Sequence, residues 1–399
     1  MTNQNICATI RTVNKAGPRR SPEANYLPQH ETECRVATIE QVCGIPGIVS
    51  QKKVEHRNMS IGSAQQAQTS SLHILLLADT HVGFDLPVHP RVERRRRGHD
   101  FAANFQRALE PALRGEVDFV VHGGDLFDRS RVPAALVDMA LAPIVRVAES
   151  GTPVYLVPGN HERARIPLNL WSAHPNIHIF DRPRAFLHSG RHGTVALVGF
   201  PFARRIRDRF DDLLRQASAA AASADRNLLC LHQTVEGAQV GPSSYTFRSG
   251  PDIIPGQALP AGFDAVLSGH IHRRQVLTRD LGRRGIAAPV IYPGSVERTS
   301  FAERDEEKGY AIVTLQPPGS DAPLQVAFEP LPARPMVSLI LEPSTPDRGT
   351  VVNLLASHLR ALDPNSVVRV QFRGPNADAS LNVLSAACLR RLAPPTMNV

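Results

Sequence analysis

The sequence predicts an α/β fold, with a large layered domain at residues 72–330 and a small α/β unit at 331–399. In the first region apolar, strand-like runs alternate with helical runs, which is typical of a layered α/β domain. The proline-rich stretch 330–335 is typical of a linker. The helical runs of the large region are 101–113, 134–149 and 206–222, and the C-terminal unit alternates strand, helix, strand and helix at 336–341, 350–362, 367–372 and 381–392.

Residues 1–71 differ from the rest of the chain in pattern and in composition. They show no helical or strand periodicity and end in a polar tract at 63–71, so a disordered extension is predicted. Three of the four lysines lie here, whereas residues 71–399 contain one lysine and 36 arginines. This break in composition makes Met59 a candidate for the true start of the protein.

The amino-acid composition bears on the partner, the compartment and the membrane association of the protein. The formal net charge is +8, which favours a polyanionic partner such as nucleic acid, although an arginine-rich genome would give the same balance. Five scattered cysteines without C-x-x-C spacing indicate a reducing compartment and no zinc cluster. No apolar run approaches the ~18 residues that a membrane span requires. The cytoplasm is the predicted location.

The predicted strands of the large region end in polar side chains that are able to bind a metal. The carboxyl ends of such strands meet at one edge of a sheet, where sites in α/β proteins form. Asp125 is the central residue of this pattern, since a glycine pair directly before it allows the backbone to turn sharply. The runs and the residues that follow them are 73–78 with Asp79 and His81, 119–122 with Asp125, 154–157 with Asn160 and His161, 228–231 with His232, and 265–268 with His270 and His272.

Seven of these side chains predict a site for two metal ions. One ion needs only three or four ligands, and the set offers two carboxylates, four imidazoles and one amide oxygen. A carboxylate is the natural bridge, because each of its oxygens can bind one ion. Paired ions lower the pKa of a bridging water and hold a scissile phosphate for in-line attack by the resulting hydroxide. His161, which the ligand set does not require, is the candidate to protonate the leaving group.

The order of these motifs resembles the calcineurin-like metallophosphoesterases, and among them the SbcD-type DNA repair nucleases. Asp79-x-His81, Gly124-Asp125, Asn160-His161-Glu162, His232 and His270-x-His272 match the five motifs in order. The nuclease resemblance also rests on the segments 79–83, 124–128, 292–295 and 306–310.

The resemblance implies a β-sandwich flanked by helices (αββα), a C-terminal capping domain, and manganese as the metal. One ion would be held by Asp79, His81, Asp125 and His272, and the second by Asp125, Asn160, His232 and His270. An SbcC-type ATPase is the implied protein partner, but the sequence shows no further amphipathic helix pair of the kind that binds it. A second copy of the chain is another candidate partner.

Other residues are assigned by position. Glu162 stands where an aspartate is commoner, and Asp128 stands where archaeal and eukaryotic relatives carry a histidine; we expect Asp128 to support neighbouring groups. Trp171 is expected in the core. Candidate substrate contacts follow the first motif or His161, namely Arg94, Arg95, Arg96, Arg97, Arg163 and Arg165, although a solvated helix face explains the first four equally well.

The predicted function is a two-metal phosphodiesterase that acts on DNA, as an exonuclease with some endonuclease activity. One alternative is a phosphoesterase with the same site that acts on cyclic nucleotides or phosphoproteins. The other is a non-catalytic DNA-binding or interaction scaffold that has kept the fold, which the complete ligand set argues against.

Overall fold

The computed structural model describes residues 70–86, 94–162, 174–218, 223–317 and 320–399. Nearly all of the predicted N-terminal extension lies outside these residues, as do Arg163, Arg165 and Trp171. The strands of the described residues are β1 (Leu72–Leu77), β2 (Phe119–His122), β3 (Val154–Leu156), β4 (Ile177–Ile179), β5 (Arg184–Gly190), β6 (Gly193–Gly199), β7 (Arg226–Leu231), β8 (Thr234–Val235), β9 (Gln239–Val240), β10 (Tyr245–Thr246), β11 (Ile253–Ile254), β12 (Ala265–Ser268), β13 (Gln275–Arg279), β14 (Gly285–Tyr292), β15 (Gly309–Leu315), β16 (Leu324–Pro330), β17 (Met336–Leu341) and β18 (Val367–Phe372). The α-helices of the same residues are α1 (Arg97–Ala108), α2 (Glu110–Leu113), α3 (Ala134–Glu149), α4 (Ile206–Ala217), α5 (Arg348–Arg360), α6 (Ala377–Asn382) and α7 (Ala386–Leu392).

Two six-stranded sheets form the large domain. The first has the order β16-β15-β1-β2-β3-β4, with β1 to β4 parallel and β15 and β16 antiparallel. The second has the order β13-β14-β12-β7-β6-β5, with a parallel centre and an antiparallel strand at each edge. Parallel neighbours need crossover connections, and helices lie in three of them: α1 and α2 between β1 and β2, α3 between β2 and β3, and α4 between β6 and β7.

The two sheets pack face to face and are covered by helices on their outer faces. Successive side chains of a strand point to opposite faces, so β1 places Ile74 between the sheets and Leu75 under the helices. On the other side, Leu228 of β7 lies between the sheets, whereas Leu229 packs against α4. Both faces of the central strands are therefore buried, which explains why their sequences are continuous apolar runs. The predicted αββα arrangement is confirmed.

The C-terminal segment forms the predicted strand, helix, strand and helix pattern. Strands β17 and β18 pair in parallel, and helices α5 and α7 contribute to a separate apolar cluster with them. The last predicted helix is divided into α6 and α7, because Ser385 caps the second piece by accepting a hydrogen bond from Cys388 N. The boundaries of this segment as a capping domain stay a prediction.

Two predicted helices end differently from the sequence pattern. The run 101–113 begins earlier, at Arg97, and is interrupted at Leu109, after which Pro111 lies in the first turn of α2, where a missing N–H costs little. Helix α4 ends at Ala217, before the predicted end at residue 222. In the described part of the chain, no helix is both long and apolar enough to cross a membrane.

Candidate metal centre

The loops that follow five strands converge at one end of the sandwich. Strands β1, β2 and β3 belong to the first sheet and β7 and β12 to the second. Main-chain hydrogen bonds align the first two loops, from Asp79 N to Gly124 O (2.9 Å) and from His81 N to Asp125 O (3.0 Å). Each sheet therefore supplies part of the site, and all seven predicted ligands meet there.

The first group of donors consists of Asp79, His81 and His272. The Nε2 atoms of His81 and His272 lie 3.1 Å apart, and His272 Nε2 is 3.9 Å from Asp79 Oδ1. Asp79 is fully buried and His81 is 3% exposed. Two imidazole nitrogens and a buried carboxylate thus face a common point.

The second group consists of Asp125, His232 and His270, together with the amide oxygen of Asn160. Asn160 Oδ1 lies 3.1 Å from His232 Nε2 and 2.9 Å from His270 Nδ1. His232 Nε2 is also 3.4 Å from Asp125 Oδ2. These are the four residues that the family resemblance assigns to the second ion.

Asp125 links the two groups. It also forms a group with His81 and His161, whose Nε2 lies 3.7 Å from Asp125 Oδ2. A carboxylate that lies within reach of imidazoles on both sides has the position that a bridging ligand requires. His161 itself lies within this cluster, so its geometry suits either a proton donor or an additional ligand.

The donor set fits a pair of divalent cations. Nε2 of His81 and Nε2 of His272 lie only 3.1 Å apart, and a shared cation would accept the lone pairs of both nitrogens. Asp79 and Asp125 bring two negative charges into a buried place that a cation would compensate. Carboxylate and amide oxygens with imidazole nitrogens are ligands for Mn²⁺, Fe²⁺ and Zn²⁺.

Burial keeps two of the imidazoles neutral, as metal binding requires. It lowers the pKa of both His81 and His270 to about 3, so their nitrogen lone pairs are free at neutral pH. Burial also raises the pKa of Asp79 to about 6. For His232 burial would lower the pKa, but the adjacent Asp125 carboxylate raises it to about 9. An ion that takes His232 as a ligand must therefore displace a proton.

Several ligands sit in a backbone conformation that L-residues seldom adopt. Asp79, His81, Asp125 and His270 have φ values of 51°, 41°, 51° and 82°. They are half of the eight non-glycine residues with positive φ in the described part of the chain. Such strain persists where surrounding contacts impose it, and it concentrates at functional sites.

Two glycines make room for the ligands. A Cβ at Gly124 would lie 2.3 Å from His232 Nδ1, and one at Gly159 would lie 2.2 Å from Asp125 Oδ1. Gly124 also has a φ of 105°, which only glycine adopts without strain. The glycines before Asp125 and Asn160 are thus required by the close approach of the loops.

Glu162 holds two ligand loops together. Its buried carboxylate accepts hydrogen bonds from Asp125 N (3.0 Å), Phe127 N (2.9 Å) and Gly159 N (2.6 Å). It lies outside the ligand set, as the sequence predicted, but its longer side chain ties the loop of Asp125 to the loop of Asn160. No pattern in the sequence indicates this role beyond the position after His161.

His161 is oriented by a main-chain group. Its Nδ1 donates to the carbonyl oxygen of Asp128 at 2.6 Å, so Nε2 is directed toward Asp125. His161 N also donates to Asp125 Oδ1 at 3.0 Å. Asp128 therefore contacts the site through its backbone, while its carboxylate lies 4.0 Å from Arg129 Nε.

A contact of His272 was missed by sequence reasoning. Its Nδ1 lies 3.4 Å from Glu303 Oε1 and 3.3 Å from Thr299 Oγ1. Burial would raise the pKa of Glu303, but the hydrogen bond with His272 and the charge of Lys308 bring it below its ordinary value. In the sequence, the acidic segment before Lys308 indicates no more than the family resemblance.

Arg94 and Arg97 are engaged within the protein. Arg94 donates to the carbonyl of Pro394 in the C-terminal segment at 3.1 Å. Arg97 donates to the carbonyl of Arg298, and its guanidinium lies 5.1 Å from the ring centroid of Phe84. These contacts connect the start of α1 and the residues just before it to the C-terminal segment and to the residues that follow β14.

Arg95 and Arg96 are less constrained. Arg95 pairs with Asp100 at 2.6 Å and keeps 41% of its side chain exposed, while Arg96 lies 3.8 Å from Asp85 and is 27% exposed. Contact of the four arginines with a substrate stays a prediction. Arg163 and Arg165 lie outside the described residues.

The site and the fold together define a class. The family model of the calcineurin-like phosphoesterases matches residues 72–274, half of the chain and all seven predicted ligands. The chain belongs to the calcineurin-like phosphoesterase family. The predictions of this family and of a metal-dependent phosphoesterase class are confirmed.

Within the family, the chain is similar to DNA double-strand break repair proteins. It is 29% identical over 306 residues to "DNA double-strand break repair protein Mre11" of Haloferax volcanii, covering 75% of this chain and 61% of that protein. It is 28% identical over 216 residues to the protein of the same name from Saccharolobus solfataricus, covering 53% and 52%. The chain thus spans about half to three-fifths of these relatives.

Other similar proteins carry broader names. "Uncharacterized metallophosphoesterase YhaO" of Bacillus subtilis is 28% identical over 217 residues, covering 53% of this chain and 48% of that protein. Among solved structures, TT1561 of Thermus thermophilus covers 65% of this chain with a TM-score of 0.41 and 12% identity. A dimetal phosphatase from Danio rerio covers the same share with a TM-score of 0.37 and 14% identity.

Proposed function

We propose that the protein is a two-metal phosphodiesterase that cleaves DNA, as an exonuclease with some endonuclease activity. The observation that carries this proposal is the position of Asp125. Its carboxylate lies 3.4 Å from His232 Nε2 in the second group of donors and within 4.8 Å of a ring nitrogen of His81 in the first group. One ion would be held by Asp79, His81, Asp125 and His272, and the other by Asp125, Asn160, His232 and His270.

The two ions, most suitably Mn²⁺, would neutralise the scissile phosphate and make water nucleophilic at neutral pH. The protein supplies the geometry for this chemistry. Two carboxylates reduce the charge of two divalent cations from +4 to +2, which leaves the site attractive to a phosphate anion. Asn160 contributes an uncharged oxygen and so preserves this positive balance.

His161 would carry the proton for the leaving group. Since Nδ1 donates its proton to Asp128 O, the proton for the leaving group is a second one, which Nε2 carries in the imidazolium form and which faces the site. The side chain is 33% exposed, so solvent can restore the proton after each cycle. A positioned acid of this kind contributes about 10²–10⁴-fold to the rate.

DNA is the preferred substrate class for two reasons. Two of the similar proteins are named as DNA double-strand break repair proteins. The net charge of +8 favours a polyanion over a small phosphoester. The proposal also includes a location in the cytoplasm, as the composition predicts, and a protein partner. This partner is either an SbcC-type ATPase, as the resemblance implies, or a second copy of the chain.

The direct test is digestion of end-labelled double-stranded and single-stranded DNA with manganese, magnesium or a chelator. We expect shortened products with manganese, none with the chelator, and none from an Asp125→Asn variant. A small chromogenic phosphodiester serves as the second substrate. Hydrolysis of this diester without DNA cleavage would overturn the DNA substrate and favour the cyclic-nucleotide or phosphoprotein alternative, whereas inactivity on both substrates would favour the scaffold.

A further inference from the structure

The outer nitrogen of the ligand His272 faces a small polar network. Thr299 Oγ1 donates to Glu303 Oε1 at 2.5 Å, and both oxygens lie within 3.4 Å of His272 Nδ1. An acceptor at this position fixes the proton on Nδ1 and leaves the lone pair of Nε2 for a metal. Glu303 belongs to a short 3-10 helix, Phe301–Glu303, which restricts its movement.

Lys308 binds the other oxygen of Glu303 and so completes the network. Its Nζ lies 2.8 Å from Glu303 Oε2, 2.9 Å from Glu306 Oε2 and 2.8 Å from the carbonyl oxygen of His272. The side chain is 1% exposed, and its three donors meet three acceptors. Lys308 therefore contacts His272 in two ways. It donates directly to the backbone carbonyl of His272, and it binds Glu303, which contacts the imidazole ring.

The presence of lysine and not arginine at position 308 is informative, because the chain is poor in lysine. Residues 71–399 contain 36 arginines and the single lysine Lys308. An ammonium is a compact charge whose three donors leave one atom in different directions, whereas a guanidinium is planar and larger. Three acceptors that converge on one buried point suit the ammonium, so arginine would not replace it here.

We propose that Lys308 and Glu303 form a positioning unit that orients His272 and thereby sets the affinity for one of the two metal ions. The inference rests on the proposed two-metal site and goes beyond it, because it assigns control of one ion to residues outside the ligand set. The affected ion is the one shared by Asp79, His81 and His272. The ion bound by Asn160, His232 and His270 does not depend on this unit.

Glu306 offers a matched control. It accepts from the same Lys308 and, like Glu303, has a side chain that is 12% exposed. Its other ionic partner is Arg273, at 3.2 Å, and it makes no contact with His272 among those that the structure shows. A change at Glu306 perturbs the same charge network and spares the ring of the ligand.

The test counts bound ions in the full chain by manganese titration calorimetry and by elemental analysis after gel filtration. Loss of a partner that orients a ligand weakens metal binding by about 10–100-fold. We expect this loss at one ion in Glu303→Ala and in Lys308→Arg, with the second ion retained. Glu303→Gln, whose amide oxygen can still accept from Nδ1, should recover most of the affinity, and Glu306→Gln should match the wild type.

Two results would overturn the inference. One is binding of two ions with wild-type affinity by Glu303→Ala and Lys308→Arg. The other is equal weakening by Glu306→Gln, which would indicate a general effect of charge. Circular dichroism of each metal-stripped variant verifies folding, and Glu303→Gln keeps the test valid if Glu303→Ala does not fold. If the wild type itself bound fewer than two ions, the proposed two-metal site would fail, which is a distinguishable outcome.

Discussion

The amide oxygen of Asn160 lies 2.9 Å from Nδ1 of His270, although 110 positions and two different sheets separate these residues. Asn160 follows β3 of the first sheet, and His270 follows β12 of the second. The site therefore exists only where the two sheets are packed together.

The shared carboxylate is expected to matter most for metal content. Asp125→Ala removes an oxygen ligand from both groups, so both ions should be lost and DNA cleavage abolished. Asp128→Ala should be mild, because His161 is held by the carbonyl of residue 128 and this group remains. Elemental analysis of both variants measures the difference, and equal metal loss would contradict the bridging role.

His161→Asn separates proton transfer from metal binding. Cleavage should fall by about 10²–10⁴-fold while both ions stay bound, because an amide cannot protonate the leaving group. Since His161 Nε2 also lies near His81 and Asp125, the competing role is that of a ligand. Loss of an ion from this variant, detected by elemental analysis, would establish that role instead.

Two histidines outside the metal centre should make stability depend on pH. His188 of β5 lies 4.9 Å from the ring centroid of Phe119 and stacks with His192 at 5.4 Å. Burial lowers the pKa of His188 to about 4, against an ordinary value of 6.5, and it lowers the pKa of His192 as well.

The sign of this effect follows from proton counts. Between pH 6.5 and about 4 the unfolded chain binds more protons at His188 than the folded chain does, so stability is lost as the pH falls through this window. His188→Phe should reduce the pH dependence of the urea midpoint relative to the wild type. An identical dependence in both proteins would show that His188 does not contribute.

The convergence of the seven candidate ligands could be predicted from the sequence because their signal is local. An apolar run that ends in glycine and a polar residue can be recognised wherever it occurs. Asp125 could therefore be identified without knowing which residues lie near it in space. The role of Glu303 could not be predicted in this way, since its contact with His272 spans 31 positions and depends on the fold. Arg94 is a second case, because its partner Pro394 is 300 positions away.

Two arginines of the run at residues 94–97 are expected to contribute to the stability of the fold, whether or not the run contacts DNA. Replacing Arg94 and Arg97 with serine removes hydrogen bonds to the carbonyls of Pro394 and Arg298, so the melting temperature should fall. Arg95→Ser should cost less, since that side chain is 41% exposed. Thermal unfolding of the double and single variants provides the comparison, and the reverse ranking would contradict these contacts.

Binding to DNA should depend steeply on salt. Each duplex phosphate that the protein neutralises contributes a slope of about −0.9 to the plot of log affinity against log salt concentration. A small phosphoester would make one or two such contacts. Affinity for duplex DNA, measured across a salt series with calcium in place of manganese, should give a steep slope. A slope of about −1 would contradict a DNA substrate.

We propose that cleavage of DNA requires two divalent ions, which the residues on both sides of Asp125 would hold. The most direct measurement is the rate of nucleotide release from an end-labelled duplex as manganese is added in equivalents to metal-stripped protein. Cleavage should remain near background at one equivalent per chain and rise to its full rate at two. Full cleavage at one equivalent, or cleavage in the presence of a chelator, would contradict the account.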